Sequence, residues 1–252
     1  MDRIENIKRV IAYLLAAGKY DGQQIPSSLI DCQRLMRAGM NVWEPKPVPQ
    51  DILDAEDAEL ALQREEKGVV TTSDISPLTS DIILWQGDIT RLQVDAIVNA
   101  ANAQALGCWS PLHNCIDNCI HSAAGIQLRK ECADIMQGQL LRTGEAFITK
   151  GYNLPAKHVI HTVGPIIESG CPSKEQEEQL AQCYRSCLNL AEENGLQSIA
   201  FCCISTGVFH FPNRRAAEIA IETVRAYPRK SVQTVVFNVF LDKDYDIYKE
   251  LL

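Results

Sequence analysis

Short apolar runs alternate with segments of helical spacing from residue 81 onward, and no other feature constrains the fold as strongly. The apolar runs predict strands over 82–84, 96–98, 146–148, 158–161, 199–204 and 235–240. The segments between or after them predict helices near 114–136, 175–194, 213–226 and 244–251. This alternation is typical of a mostly parallel sheet with helices on both faces, so we predict an α/β fold. Ligands bind such open sheets just beyond the C-terminal ends of the strands.

The first 80 residues follow a different pattern, in which apolar residues recur at helical spacing. Three helices are predicted there, over about 4–17, 29–39 and 51–66. Alternate prolines in the segment 43–49 exclude a helix, because proline lacks the backbone N–H and fixes φ. Residues 68–80 have few large apolar side chains, which is typical of a connector. We therefore predict a helical N-terminal extension and connector over 1–80, followed by the α/β domain over 81–252.

Composition limits the classes of function open to the chain. With 46% hydrophobic and 22% charged residues over 252 positions, it has the composition of a globular protein with a sizeable core. The net charge of −8 argues against a nucleic-acid-binding protein, which needs a basic face. The N-terminal segment lacks the apolar core of a signal peptide and no apolar run approaches 18 residues, so we predict a cytoplasmic protein that does not act at a membrane. We expect the ten cysteines to be reduced thiols, some of which bind metal.

Polar side chains follow two of the predicted strands, whereas the phosphate-binding sequences G-x-x-x-x-G-K-[ST] and G-x-G-x-x-G do not occur. Asn99 and Asn102 come after the strand at 96–98. Their amides suit the vicinal hydroxyls of a ribose, although a loop asparagine is also a common turn former. Asp88 comes after the strand at 82–84, where its carboxylate could accept from an exocyclic amino group or cap the turn that follows.

Cys108, His113 and Cys115 lie within eight residues and are candidate metal ligands. Two thiolates and one neutral imidazole suit Zn²⁺, and three protein ligands leave the fourth tetrahedral position open for chemistry. Their spacing is not a standard zinc pattern, so the residues alone leave metal binding open. Cys119 and His121 are nearby alternatives, and we assign structural roles to both.

Three groups of motifs occur in a characteristic order. The first is QGDIT at 86–90 with VDAIVNAAN at 94–102, and the third is ISTGVFHFP at 204–212. The second is D-x-x-I-H-x-x-A-G at 117–125, followed by GEA at 144–146 and HVIHTVGP at 158–165. Together they resemble the macrodomain family, whose members are ADP-ribose-binding α/β/α modules with a mixed, mostly parallel sheet. The resemblance covers about residues 81–252.

The chain departs from many macrodomains at one place. A run of glycines commonly precedes the aspartate that matches Asp117, whereas this chain has GCWSPLHNCI at 107–116. The segment looks like that of a zinc-dependent microbial branch, in which a Cys, His, Cys set replaces the glycines. Members of that branch often have an N-terminal helical extension, as predicted here for residues 1–80.

The resemblance implies a role for each candidate residue. The adenine is expected at Asp88 and Ile89, the ribose hydroxyls at Asn99 and Asn102, and zinc at Cys108, His113 and Cys115. The implied loop for the diphosphate and the distal ribose consists of Ser205, Thr206, Gly207, Val208 and Phe209. Phe240 is expected near the adenine, and for both phenylalanines the alternative is a place in the core.

Asn102 and Asp117 are the catalytic residues that the resemblance implies. Asp117 could orient the attacking water, hold a ribose hydroxyl or support a zinc ligand. The alternative is a charge at a helix N-terminus that interacts with the helix dipole.

The resemblance implies a zinc-dependent hydrolase that removes mono-ADP-ribose from modified protein side chains, with an aspartate or glutamate linkage. The implied substrate is an ADP-ribosylated protein, such as a lipoyl-carrier protein modified by a sirtuin-like transferase. Two alternatives use the same pocket: a binding module that holds ADP-ribose without cleaving it, and a deacetylase of O-acetyl-ADP-ribose. The open zinc position and Asp117 argue against the binding module, whereas the sequence does not separate a protein linkage from the small-molecule ester.

Overall fold

The computed structural model describes residues 2–17, 24–78, 81–168 and 170–252. Its strands are β1 (Val70–Thr71), β2 (Ile82–Gln86), β3 (Leu92–Gln93), β4 (Ala96–Ala100), β5 (Ala146–Lys150), β6 (His158–Thr162), β7 (Ser198–Phe201) and β8 (Thr234–Val239). The main sheet has the order β2-β8-β7-β4-β6-β5. Only β5, which pairs with β6, is antiparallel to its neighbour in this sheet. The predicted mixed, mostly parallel sheet is confirmed. Each of the six predicted runs overlaps one of its strands, although the run at 199–204 continues three residues beyond β7.

Eight helices are present in the described part of the chain: α1 (Arg3–Ala17), α2 (Leu29–Val42), α3 (Gln50–Lys67), α4 (Ile116–Ala124), α5 (Ile126–Met136), α6 (Lys174–Glu193), α7 (Asn213–Ala226) and α8 (Asp242–Leu251). With this strand order, the right-handed connection expected between parallel strands places α4 and α5 on one face of the sheet and α6 and α7 on the other. Helix α8 packs against α7. The three-layer arrangement is therefore confirmed. The segment predicted as helical over 114–136 is divided in two at Gly125, where φ is 99°.

Helices α1, α2 and α3 precede the sheet, as predicted, and bury an apolar cluster of their own. Its buried members include Ile7, Val10, Ile11, Leu14, Cys32, Met36 and Leu60. Ile126 from α5 completes this cluster, and α2 and α3 both contact α4. The extension is thus packed on the face of the sheet that α4 and α5 cover.

The connector after α3 contains a short strand, β1, which pairs in parallel with β3. Residues 79 and 80 lie outside the described residues. The domain boundary predicted at residue 80 therefore stays a prediction. None of the ten cysteines forms a disulfide in the described part of the chain. Within the described residues, no helix combines the length and apolar character needed to cross a membrane. The cytoplasmic location also stays a prediction.

Candidate active site

The end of β4 places two asparagines above the buried carboxylate of Asp117. Asn99 is fully buried, and its Nδ2 donates to Asp117 Oδ1 at 2.8 Å. Asn102 is half-buried, and its Nδ2 donates to Asp117 Oδ2 at 3.3 Å and to the carbonyl of Gly107 at 3.2 Å. Asn102 Oδ1 accepts from the backbone N–H groups of Gln104 and Ala105 at 3.0 and 3.2 Å. Asn102 is therefore both a turn former and a side chain of fixed orientation at the edge of the sheet.

Asp117 occupies the first turn of α4 and is 4% exposed. Burial raises its pKa to about 6, while the bond from Asn99 and the charge of Arg129 act in the opposite direction. Both carboxylate oxygens point at the two amides rather than at solvent. Asp117 thus fixes the orientation of both amides, and its predicted catalytic role stays a prediction.

A second group of potential ligands, His121, Cys132 and His161, lies below the asparagines and is completely buried. Burial lowers the pKa of His161 to about 3 and that of His121 well below its usual range, so both rings are neutral. The two ring nitrogens of His161 lie 3.1 Å from Asn99 Nδ2 and 3.0 Å from Thr149 Oγ1. These hydrogen bonds favour a structural role for His161. The structural role that we assign to His121 stays a prediction, because its ring belongs to this second group of potential ligands.

The loop between β4 and α4 brings the three predicted zinc ligands together. Their donor atoms, one each from Cys108, His113 and Cys115, all lie within 4.8 Å of one another. Cys108 Sγ is 3.6 Å from His113 Nδ1. The loop leaves the core at Gly107, where φ is 81° and an added Cβ would lie 2.8 Å from Cγ of His121. A side chain at position 107 would displace the start of the loop, which explains the glycine.

The chemistry of this donor set fits zinc. Two thiols and an imidazole are typical zinc ligands, with Zn–S distances of about 2.3 Å and Zn–N distances of about 2.0–2.1 Å, so a small contraction of the loop is enough. Cys115 is also the N-cap of α4, and its Sγ accepts from the N–H of Asn118 at 3.5 Å. Burial raises the pKa of Cys115 to about 12, with the bond from Asn118 acting in the opposite direction and the neighbouring Cys108 acting in the same direction as burial. A bound cation would stabilise the thiolates that burial disfavours.

The residues predicted at the adenine lie where β2 and β8 end. Asp88 caps the turn Ile89–Arg91, because its Oδ1 accepts from the N–H and the hydroxyl of Thr90 at 3.0 and 2.7 Å. Its Oδ2 lies 3.7 Å from Nζ of Lys67, and Ile89 is 2% exposed. Phe240 is 71% exposed at the end of β8, which excludes the core for this ring. The capping role of Asp88 is observed, and its contact with adenine stays a prediction.

The loop between β7 and α7 has the open backbone expected of a phosphate-binding segment. Ser205 is buried with φ of 66°, and Thr206 bonds back to the carbonyl of Cys203 at 3.0 Å. Gly207 and Val208 are exposed. Within the described residues, the backbone N–H groups of Gly207, Val208 and Phe209 donate no hydrogen bond, so they are available to an anion. The Phe209 ring packs on the small cluster formed by Ala105, Met136, Leu141 and Val163.

Sequence reasoning missed Arg129, which is 2% exposed. Its guanidinium donates to the carbonyls of Asn41 and Trp43 at 2.8 and 2.9 Å and to that of Cys108 at 3.4 Å. It also lies 4.3 Å from the centre of the Trp109 ring. One signal was available: in α5, Arg129 falls three residues after Ile126 and three before Cys132, on the apolar face. A charge on a buried helical face usually has specific partners.

The fold and these side chains define a three-layer α/β/α domain with a candidate ligand site at the C-terminal ends of its strands. The sequence profile of the Macro domain matches residues 98–220. A protein-ADP-ribose hydrolase from Treponema medium is 49% identical over an alignment 252 residues long, which covers 96% of this chain and 96% of that one. A protein of the same name from Staphylococcus aureus strain MSSA476 is 51% identical over 232 residues, or 90% of this chain and 86% of that one. This chain belongs to the macrodomain family.

Solved macrodomains share the architecture. The Oceanobacillus iheyensis macrodomain with ADP is 38% identical and superimposes with a TM-score of 0.62, covering 70% of this chain and 92% of that one. The Trypanosoma brucei macrodomain in complex with ADP-ribose is 34% identical, with a TM-score of 0.66 and coverage of 85% and 94%. The predicted macrodomain fold is thereby confirmed.

Proposed function

We propose that this protein is a zinc-dependent hydrolase that removes mono-ADP-ribose from modified protein side chains. The observation that carries the proposal is the convergence of Cys108, His113 and Cys115 on the loop that begins at Gly107, whose carbonyl accepts from Asn102. Relatives about half identical over most of the chain are named protein-ADP-ribose hydrolases, which supports the reaction. The two solved structures with ADP and ADP-ribose support the ligand.

In this proposal the nucleotide lies along the ends of the strands. Asp88 and Ile89 meet the adenine, beside the exposed ring of Phe240. The free N–H groups of Gly207 and Val208 bind the diphosphate, so no cluster of basic side chains is required. This arrangement is compatible with the net charge of −8.

The distal ribose then lies between Phe209 and the metal loop, where Asn102 binds its hydroxyls. Asp117 contributes by holding the amides of Asn99 and Asn102 in one orientation. When bound, zinc would supply a Lewis acid at its open fourth position, next to the ribose. Asn102 would hold the ribose in one orientation beside the residues that bind the metal, and such orientation accelerates bond cleavage.

We propose an acyl linkage to aspartate or glutamate, and a lipoyl-carrier protein modified by a sirtuin-like transferase as the substrate. Both follow from the resemblance of the segment 107–116 to the zinc-dependent microbial branch. The bond to be cleaved lies at the exposed end of the ligand, so a protein chain can extend into solvent.

The first experiment measures release of ADP-ribose from a protein modified on aspartate or glutamate. The enzyme is assayed as purified, after chelation, and after zinc is added back, with metal content determined in parallel. We expect chelation to abolish turnover and zinc to restore it. Binding of ADP-ribose without turnover across several linkages would instead favour the binding module.

Substitution of the ligands tests the metal site directly. We expect Cys108→Ala and His113→Ala to lose zinc and activity together, because two remaining ligands bind zinc weakly. Cys119→Ala is the matched control, since Cys119 lies four residues after Cys115 but outside the donor set. Full turnover by a folded, zinc-free variant would contradict the proposal.

The deacetylase alternative is tested with O-acetyl-ADP-ribose as substrate. A hydrolase of protein linkages is expected to have a higher kcat/KM for the modified protein than for this small ester. The opposite ranking would favour the deacetylase.

A further inference from the structure

We propose that the N-terminal extension is a positioning element of the metal site, because helix α2, together with Arg129, holds the loop of residues 108–115 in its ligating conformation. The functional meaning of this proposal rests on the zinc site proposed above. The geometry itself rests on four contacts, each of which reaches a different residue of the loop.

The first contact fixes a strained residue. Leu112 has φ of 58°, a left-handed conformation that is strained for a bulky side chain. Its backbone N–H donates at 2.9 Å to Oδ1 of Asn41, the penultimate residue of α2. Asn41 is 1% exposed, and its Nδ2 donates to the hydroxyl of Ser122 at 3.0 Å. Asn41 is therefore held by α4 in the orientation that accepts the Leu112 N–H.

The second contact is made to a predicted ligand. Nη2 of Arg37, one turn earlier on α2, donates to the carbonyl of His113 at 2.8 Å and to Oδ1 of Asn118 at 3.0 Å. Asn118 is fully buried, and its Nδ2 donates to the carbonyl of Ser110 at 2.9 Å. The His113 side chain is exposed, so the bond from Arg37 fixes this residue through its backbone carbonyl.

The third and fourth contacts come from Arg129. Its guanidinium binds the carbonyls of Asn41 and Trp43 at the end of α2 and also that of Cys108. It lies over the ring of Trp109 at 4.3 Å. The same cation therefore joins the C-terminal end of α2, whose carbonyls carry partial negative charge, to the start of the metal loop.

These contacts explain why the extension packs beside the metal loop. The loop has no regular secondary structure between Gly107 and α4, so local hydrogen bonds alone do not determine where His113 points. Arg37 binds a carbonyl 76 residues further along the chain, and Asn41 binds an N–H group 71 residues further along. The loop is therefore held by residues that are distant in sequence. Groups that orient metal ligands typically affect metal affinity by about 10–100-fold.

The test compares Asn41→Ala and Arg37→Met in the full-length protein. Arg34→Ala is the control, because Arg34 is exposed on the same helix. Zinc affinity is measured by competition with a chromophoric chelator, and hydrogen exchange of residues 108–115 is measured in the metal-free protein. We expect both variants to bind zinc about 10–100-fold more weakly and to exchange faster in this loop, with the control unchanged. A thermal melt confirms that each variant is folded.

A second variant separates positioning from general stability. Glycine adopts positive φ without strain, so Asn41→Ala combined with Leu112→Gly should bind zinc more tightly than Asn41→Ala alone. Zinc affinity and loop exchange within twofold of the parent in both Asn41→Ala and Arg37→Met would overturn the proposal. A parent protein that binds no zinc would overturn the proposed function instead, while faster loop exchange in the two variants would still support the positioning role.

Discussion

At the scale of single residues, the contact between Asn102 and Asp117 shows how a loop side chain is made rigid. The Asn102 amide is fixed on both sides, by Asp117 and Gly107 as acceptors and by two backbone N–H donors. A side chain held in this way loses little further entropy when it binds a ligand, which favours orientation of a ribose.

We therefore expect Asn102→Ala to lower kcat by about 10²-fold, since a small misplacement of the reacting group has an effect of that size. Zinc content should stay unchanged, because Asn102 is not in the donor set. Steady-state kinetics and metal analysis on the same preparation check both expectations. Unchanged kcat would remove Asn102 from the proposed catalytic residues.

At the scale of elements, the loops that follow β6 and β7 support each other at Gly164. A Cβ there would lie 2.0 Å from Oγ of Ser205 and 2.8 Å from Cγ2 of Ile204. We expect Gly164→Ala to displace the loop at 205–209 and to weaken ADP-ribose binding about tenfold or more, at a cost in stability of about 1–3 kcal/mol. Isothermal titration with ADP-ribose measures the first effect and a thermal melt the second.

Gly151→Ala is the matched control for that prediction. Its added Cβ would lie 1.9 Å from the carbonyl oxygen of Ala156, so a similar destabilisation is expected. Position 151 follows β5, at the end of the sheet opposite the proposed site. The control should keep its affinity for ADP-ribose, and equal losses of affinity in both variants would contradict a local effect of Gly164.

At the scale of the whole molecule, a buried carboxyl group links the extension to the α/β domain. Both oxygens of Glu56 on α3 accept from the N–H of Ile126, at 3.2 and 3.4 Å. Burial raises the pKa of Glu56 to about 8, the bond from Ile126 lowers it, and Asp57 raises it. In the unfolded chain a glutamate has a pKa of about 4.3.

Between those two pKa values the folded protein keeps a proton that the unfolded chain loses. The free energy of unfolding should therefore fall as the pH rises from about 4.5 to about 8, by an amount on the order of a few kcal/mol. Glu56→Gln removes this titration, so its Tm should fall less than that of the parent between about pH 6 and about pH 9. Identical pH dependence of Tm in the two proteins would show that Glu56 does not keep its proton.

The amino-acid sequence was enough to predict the elements and to name most of the candidate residues. Strand and helix alternation is set by local hydrophobic periodicity, so the six strands of the main sheet could be predicted from the sequence. Cys108, His113 and Cys115 could be proposed as a set because a single short loop contains all three.

The surroundings of those residues depend on the tertiary structure and could not be predicted from the sequence. The burial that raises the pKa values of Glu56 and Asp117 depends on how the three layers pack. The contacts of Arg37 and Asn41 with the metal loop join positions more than 70 residues apart. Local periodicity places a residue on a helix face but does not state which distant segment that face meets. The partner is chosen by side-chain packing and by the need to satisfy buried polar groups across the whole molecule.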